Sequence, residues 1–499
     1  MANLKRPATR SAAKQLRQWL AEAFRCAQHR ALWAAASSTF ALCLLPLVAP
    51  AQTLDYPTFR QQVLQNHPLA RQADLYIDQA RAAMLRAKGG FDPKAYAEHW
   101  GKNFNGKTYF QYTETGLKLP TWAGLEFKGA YNLASGNFLN PENQLPQNGQ
   151  ASVGFTWALG QGLLFDERRA GLLLARAGLD LGEAERMAAR NDLLLEAAKA
   201  YWSWNYADNA VGIVADVLRQ AETRHEGLRQ SFLQGERAAI DTLETYIQIQ
   251  TRQVELQFAR TEAQNAALAL SVFLWDENQA LAPENLPAAP TLLNADIEGE
   301  AGPDAENLLQ TARAQHPELR IGQTKLRQLA TERRLKNEKR KPVFDLSYNL
   351  LGSGWQFFPT AAAEGPAMLA NDVKWGISAS YPLLNRKARG DWQITQIKIA
   401  QTELELQQKR QTIEAKVRQY ANDRQNLRAQ AVLFRDLTAN YRRLLEAENE
   451  RVAIGESSIF LLNTREQRWL DAQLKYLKLL SELRKSEAGL QWAAGVLGE

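Results

Sequence analysis

The sequence of 499 residues is poor in cysteine and histidine. Its two cysteines, Cys26 and Cys43, lie within the first 51 residues, and its five histidines are scattered along the chain. No HExxH segment and no histidine pair at zinc-finger spacing occurs, so a zinc site is not predicted. Beyond residue 51 neither a disulfide framework nor a thiol nucleophile is expected. We therefore predict a protein that is not an enzyme and that holds no cofactor or metal.

Long apolar runs are also missing beyond the N-terminal region. Residues 1–30 carry seven basic side chains and one acidic one, and the apolar segment ALWAAASSTFALCLLPLVAPA ends at residue 51. This order is typical of a secretory signal peptide, which we predict at 1–51, with a membrane anchor as the alternative. No later segment offers about 20 consecutive apolar residues, so no transmembrane helix is predicted.

The excess of positive charge belongs to the same N-terminal region. The whole chain carries 60 basic and 54 acidic residues, and 53 of each remain when residues 1–51 are left out. A near-neutral remainder gives no reason to expect a nucleic-acid partner.

Two halves of the chain follow the same order of segments. NHPLARQADLYIDQARAAML begins at Asn66 and QHPELRIGQTKLRQLATERR at Gln315, and in each half a charged helical pattern leads into a β-like segment. VGFTWALGQGLLFDERRA in the first half corresponds to WGISASYPLLNRKARGD in the second. We predict a tandem duplication, with a first repeat at 52–275, a proline-marked linker at 276–305 and a second repeat at 306–499.

Each repeat contains a very long helical pattern, at 163–274 and at 385–494. Apolar residues recur at spacings of three and four, and the Arg, Glu and Gln residues between them are expected to be solvated. The pattern from residue 163 to the glycine at 235 corresponds to a helix of roughly 100 Å at 1.5 Å per residue, too long for a globular domain. We predict a long αα-hairpin in each repeat. His67 and His316 precede proline and are interpreted as helix starts rather than metal ligands.

A glycine interrupts each long pattern, in GERAAIDTLE at 235–244 and in GESSIFLLNTRE at 455–466. Glycine can end a helix with positive φ, and Ser457, Ser458 or Asp241 can accept hydrogen bonds from the next helix. We predict that these hairpin tips dock a partner, with a loop packed on itself as the alternative. The predicted docking residues are Gly235, Glu236, Ile240, Asp241, Leu243, Gly455, Glu456, Ser457, Ser458 and Ile459.

Segments of alternating polarity precede each long helical pattern, such as KTYFQYT at 107–113 and LEFKGAY at 125–131. Aromatic residues, among them Tyr131, Trp157 and Trp375, lie near their ends. This pattern is typical of an outer-membrane β-barrel, with a soluble β-sandwich as the alternative. We count four strands in the chain, two in each repeat. Four strands cannot close a barrel with a lumen, so several copies would be needed.

From about residue 54 to residue 495 the chain resembles the TolC-like outer membrane efflux proteins. The resemblance rests on the duplicated order of helix, strands and hairpin, on the His-Pro openings, on ALGQGLLFDERRA and on the two glycine segments. It implies a mainly α fold of two tandem repeats, each with a long αα-hairpin and two barrel strands. In this family three copies form a 12-stranded transmembrane β-barrel that continues into a 12-helix tunnel.

The resemblance also suggests which residues line the periplasmic aperture. In this family an acidic residue six positions after the first tip glycine takes part in closing that entrance, and Asp241 holds the position here. The corresponding positions after the second glycine are Ser457 and Leu461, so a double acidic ring is not expected. Phe460, Leu461 and Leu462 are instead candidates for a hydrophobic constriction.

We therefore predict a passive export conduit in the cell outer membrane that extends into the periplasm. The resemblance implies a homotrimer that works with a periplasmic adaptor (membrane fusion protein) and an inner-membrane pump, in a tripartite efflux or type I secretion assembly. The alternative is a non-conducting periplasmic adaptor or coiled-coil interaction protein.

Overall fold

The computed structural model describes residues 53–141, 144–276, 279–294, 304–356 and 372–498. The predicted signal peptide lies outside these ranges, and the predicted linker at 276–305 lies only partly within them. The extent of the signal peptide and the boundaries of the repeats therefore stay predictions.

The first half of the described chain begins with two helices and continues through four strands into a helical hairpin. Its elements are α1 (Tyr56–Asn66), α2 (Pro68–Lys88), β1 (Lys94–Phe104), β2 (Lys107–Pro120), β3 (Leu125–Ser135), β4 (Gln150–Ala158), α3 (Glu167–Leu233) and α4 (Ala239–Ser271). A short 3-10 turn, Gly89–Phe91, connects α2 to β1. The predicted long pattern at 163–274 is thus two helices of 67 and 33 residues.

The second half repeats this order after a short connecting region. Two-residue strands β5 (Trp275–Asp276) and β6 (Gln279–Ala280) and the 3-10 turns Pro283–Asn285 and Leu292–Asn294 lie between the halves. The elements that follow are α5 (Ala305–Gln315), α6 (Pro317–Glu338), β7 (Val343–Ser353), β8 (Val373–Ser380), α7 (Arg386–Ala453) and α8 (Ile459–Ala494). Helices α7 and α8, of 68 and 36 residues, form the second hairpin.

The prediction of two strands in each repeat is wrong for the first half. Four strands, β1 to β4, precede α3, whereas β7 and β8 alone precede α7 within the described residues. The first half has an additional hairpin of two strands, β1 and β2, which turns at Asn105 and Gly106 with φ of 52° and 70°. Asn-Gly between two strands is the strongest short-range signal for such a turn, so this hairpin could have been predicted from the sequence.

All six longer strands form one antiparallel sheet in the order β1-β2-β3-β4-β7-β8. Neighbouring strands run in opposite directions throughout, and β4 of the first half pairs with β7 of the second over eight residue pairs. Strands β1 and β8 are the two edges of this sheet.

The long helices pack side by side, and α3 is central to them. Helix α3 contacts α2, α4, α6 and α8, while α7 contacts α6 and α8. Buried Tyr201 and Leu194 on α3 pack with Phe59 of α1 and Leu270 of α4, and buried Leu477 and Leu480 on α8 form a second cluster. The aromatic residues Tyr201, Trp202 and Trp204 of α3 therefore belong to the packing core.

Histidines begin corresponding helices in the two halves, as predicted. His67 caps α2 because its Nδ1 accepts from the N–H of Leu69 at 3.1 Å. His316 caps α6 in the same way, accepting from Glu318 N at 3.2 Å. Both rings are buried, and burial lowers the pKa of each, which favours the neutral imidazole that this hydrogen bond requires.

Candidate functional site

The sheet separates charged from uncharged side chains by face. Directly opposed residues of an antiparallel pair point to the same side, so the register assigns every strand residue to one of two faces. All acidic and basic residues of the six strands lie on one side, the charged face. They are Lys94, Glu98, Lys102, Lys107, Glu114, Lys118, Glu126, Lys128, Asp345 and Lys374.

The opposite side, the uncharged face, carries no Asp, Glu, Lys or Arg in these six strands. On β3, β4, β7 and β8 it is mostly apolar and aromatic. Its large residues there are Leu125, Phe127, Tyr131, Leu133, Val153, Phe155, Trp157, Phe344, Leu346, Tyr348, Leu350, Val373, Trp375 and Ile377. On β1 and β2 the same face holds Leu117 and Leu119 beside smaller and polar residues, including His99, whose Nδ1 lies 2.8 Å from Thr113 Oγ1. Hydrocarbon accepts the uncharged face far more readily than the charged one.

Side chains on the charged face are linked across strands. The hydroxyl of Tyr96 donates to Glu114 Oε1 at 2.6 Å, and Lys128 Nζ lies 2.7 Å from the same carboxylate oxygen. Lys118 Nζ lies 4.6 Å from the centre of the Tyr96 ring. These contacts join β1, β2 and β3 through polar groups that would be costly to bury in lipid.

The first hairpin tip turns at Gly235, whose φ is +81°. The N–H of Gly235 donates to Phe232 O at 2.9 Å and that of Glu236 to Ser231 O at 3.0 Å. These two bonds are a Schellman motif, which satisfies the last carbonyls of α3. The next helix starts after Ala238, which has no capping side chain, so the expectation that Asp241 would accept such a bond is wrong. Asp241 lies instead in the first turn of α4.

The second tip repeats the turn with a better-capped helix start. Gly455 has φ of +81°, and the N–H groups of Gly455 and Glu456 donate to the carbonyls of Val452 and Arg451 at 3.2 and 2.9 Å. Ser458 caps α8 by accepting from Leu461 N at 3.2 Å, as predicted. The neighbouring hydroxyl of Ser457 donates to Glu448 Oε1 at 2.5 Å rather than capping the helix.

The residues predicted for docking and for the aperture differ in how accessible they are. At the first tip Ile240 is 70% exposed and Leu243 is also exposed, and at the second tip Phe460 is 68% exposed. Ile459, predicted to dock a partner, is 3% exposed, and Leu462, predicted to line a constriction, is 2% exposed, so both are buried at this tip. Leu461 and Asp241 are half-buried, and the glycines, Glu236, Glu456 and Ser458 are exposed.

A buried ionic cluster near the tips was missed by sequence reasoning. Glu466 of α8 is 1% exposed and contacts Arg224 of α3, and its Oε1 lies 3.7 Å from Arg252 of α4, which is 0% exposed. Arg252 also lies 2.6 Å from Glu255. In helices full of Arg and Glu these residues were expected to be solvated, and nothing in their spacing separates them from exposed pairs. The cluster joins the two hairpins.

Among the described residues, no helix combines the length and the apolar composition that crossing a membrane requires.

The second half of the chain matches a known protein family. Residues 308–496 match the model of the family described as Outer membrane efflux protein. Over these residues the chain is similar to outer membrane efflux proteins. The family resemblance and the outer-membrane location predicted from the sequence are thereby confirmed.

Solved outer-membrane channels share the fold. The Campylobacter jejuni CmeC channel is 14% identical with a TM-score of 0.62, covering 88% of this chain and 85% of its own. The open-state Neisseria gonorrhoeae MtrE channel is 16% identical with a TM-score of 0.62, covering 88% of each chain. VceC of Vibrio cholerae is 14% identical with a TM-score of 0.60, covering 88% of this chain and 95% of its own. No curated protein matches the sequence. The predicted mainly α, tandem-repeat fold class is confirmed.

Proposed function

We propose that this protein is the subunit of a passive export conduit in the outer membrane. Several copies close their sheets into one barrel, with the charged face around water and the uncharged face against lipid. The observation that carries this proposal is the complete separation of charge across the six strands. A water-filled lumen and a hydrocarbon exterior require that alternation.

Exposed apolar residues on the helices also favour association of copies. Helices α4 and α7 lie at the sides of the packed helices, where they leave large apolar residues exposed. On α4 these include Leu243, Ile247, Val254 and Phe258, and on α7 they include Ile394, Ile397, Leu404 and Leu433. Burial of each such side chain contributes about 1.5–3 kcal/mol. The family resemblance supports three copies, whose hairpins would form a tunnel in the periplasm.

The hairpin tips are the proposed contact with a periplasmic adaptor, itself attached to an inner-membrane pump. Two turns of identical backbone geometry present exposed Ile240 and Phe460 at the same position relative to their glycines. Apolar side chains on a rigid, polar-rimmed support are typical of a docking surface.

Conductance is the direct test of the pore. Trimers purified from outer membranes and added to planar lipid films should produce discrete ion-conducting steps and should migrate as heat-modifiable bands on gels. A monomer that stays out of the membrane fraction and leaves the films silent would overturn the proposal and favour the non-conducting adaptor alternative.

Site-directed cross-linking tests the docking of the tips. Beyond residue 51 the chain contains no cysteine, so Glu236→Cys and Glu456→Cys each introduce a single exposed thiol there. We expect both to capture a periplasmic protein that has its own coiled-coil hairpin. The control is Glu403→Cys, exposed on α7 far along the chain from the glycine of the second tip. Equal capture at the control position would show that the tips are not a specific docking site.

The aperture has a separate electrical test. Phe460 and Leu461 would narrow the entrance by excluding water, whereas the buried Leu462 supports them from within. Leu461→Asp should therefore raise single-channel conductance, because a charged ring retains water and ions. Unchanged conductance in this variant would exclude Leu461 from the constriction.

A further inference from the structure

We propose that each copy contributes six strands to the barrel, so that three copies form 18 strands instead of the 12 that the family resemblance implies. The seam between copies then joins the β1 edge of one copy to the β8 edge of the next. This inference rests on the proposed function, since it concerns how the copies close the barrel.

The first support is the length of the ladder that holds the additional hairpin. Strand β2 pairs with β3 over ten residue pairs, from Gln111 with Ser135 to Pro120 with Glu126. The seams between β3 and β4, β4 and β7, and β7 and β8 each pair eight. A 12-stranded barrel would need β3 to pair with β8 of a neighbouring copy. That arrangement would break the β2–β3 ladder and its contact between Lys128 and Glu114.

The second support is the distribution of charge on the hairpin itself. Strands β1 and β2 carry six charged residues, and all lie on the charged face that they share with β3, β4, β7 and β8. The other face of the hairpin contains no Asp, Glu, Lys or Arg, and Leu117 and Leu119 lie there beside polar residues such as Gln111 and Thr113. The absence of charge on this side, rather than a continuous apolar surface, is the feature that it shares with a lipid-facing barrel wall.

The third support is the state of the two edges. Strand β1 has 11 residues and β8 has 8, and neither contains proline. Soluble proteins protect such edges with short strands, prolines, charged side chains or covering segments. The charges of β1 and β8 all lie on the charged face, and long proline-free edges on opposite sides of one sheet suit pairing with further copies of the same chain.

The consequence is a wider pore in the membrane. Barrel diameter grows roughly linearly with strand number, so 18 strands give a barrel about one and a half times as wide as 12. Large or bulky cargo would then meet its narrowest passage at the tips rather than within the membrane.

Disulfide mapping distinguishes the two ways of closing. Ala97→Cys on β1 is combined in turn with a cysteine replacing Val373, Trp375, Ile377 or Ala379 on β8, all on the uncharged face. Within one chain β1 and β8 are five strand spacings apart, about 24 Å at 4.8 Å each, so a disulfide can form only between copies. The proposal predicts covalent dimers and trimers on oxidation.

The matched series places the first cysteine at Gly129 on β3, with the same four partners on β8. The proposal predicts no cross-link in this series, and efficient cross-linking there would overturn it in favour of 12 strands. Failure of both series in trimers that still conduct would also overturn it while leaving the proposed function intact. Loss of trimers and conductance in the unmodified protein would count against the proposed function instead.

Cryo-electron microscopy of the trimer in lipid discs gives an independent count of strands. We expect 18 strands in cross-section, with the Asn105–Gly106 turn at the same rim as the C-terminal ends of β3 and β7. A wall of 12 strands, with the hairpin outside it, would refute the inference.

Discussion

The two hairpin tips have the same turn but different support. Gly235 and Gly455 share a φ of +81° and the same pair of closing hydrogen bonds. The second tip is fastened by the Ser458 cap and by the bond from Ser457 to buried Glu448. The first has no side-chain cap, and Arg237 connects it to the second hairpin through Val452 O at 3.3 Å.

This difference predicts that the second tip is the firmer of the two. Backbone geometry at both turns is set by glycine, whereas local stability is set by the polar contacts around it. Hydrogen exchange of tip peptides measures the free energy of local opening and can follow each tip separately.

The largest expected effect lies in the cluster that both hairpins share. Glu466→Ala leaves buried Arg252 without one of its two carboxylate neighbours and Arg224 without its buried partner. Removing one member of a buried ion pair costs about 3 kcal/mol or more. We expect faster exchange at both tips. Glu226→Ala, which removes an exposed pair with Arg229, is the control and should change neither tip measurably. An effect at one tip alone would contradict the shared role.

Glu448→Ala should destabilise the second tip and leave the first unchanged. Glu448 is buried, accepts from Ser457 at 2.5 Å and lies 3.7 Å from Arg465. Loss of a hydrogen bond to a charged group costs about 2 kcal/mol, and we expect that loss in the free energy of opening of the second tip only. Equal loss at the first tip would mean that the two turns are not independently supported.

Replacement of each tip glycine by alanine should affect the two tips equally. A Cβ at Gly235 or Gly455 meets no atom within 4 Å, so the cost comes from positive φ alone. That cost is about 1–2 kcal/mol for an L-residue. The measurement is the exchange of each tip in its own variant. A clearly unequal loss would show that the surroundings, and not the turn, dominate.

The smallest effects concern the helix caps. Ser458→Ala removes the bond to Leu461 N and should destabilise the second tip by about 1 kcal/mol. Ala238→Ser places a hydroxyl at an extended N-cap position and should stabilise the first tip by a similar or smaller amount. Faster exchange at the second tip in Ser458→Ala and slower exchange at the first tip in Ala238→Ser would confirm that the caps account for the difference. Shifts of the same sign in the two variants would contradict it.

Much of this architecture could be predicted from the residues. Helical spacing predicted the long hairpins, and the observed helices end within a few residues of the predicted limits, at Ser271 and Ala494. Glycine with positive φ at both tips, and histidine caps before proline, follow from local chemistry that acts within a single turn. Such features depend on neighbours in sequence and can be inferred without knowing the fold.

The errors concern contacts between distant segments. Ile459 was predicted to dock a partner and Leu462 to line a constriction, because apolar residues near a turn can face either way, and packing buries both. Glu466 and Arg252 resemble the solvated charges around them, yet three helices enclose them. One exception was local: the Asn-Gly turn at Asn105 adds a hairpin to the first half, and its signal lies within two residues.

The sequence by itself determined the helices, their turns and the repeated order, because hydrophobic period, glycine and proline act over a few residues. Only the tertiary structure decided which charges are buried and how six strands align into one sheet with all its charge on one face. Those outcomes depend on register and on packing between segments hundreds of residues apart, where local preference has no influence.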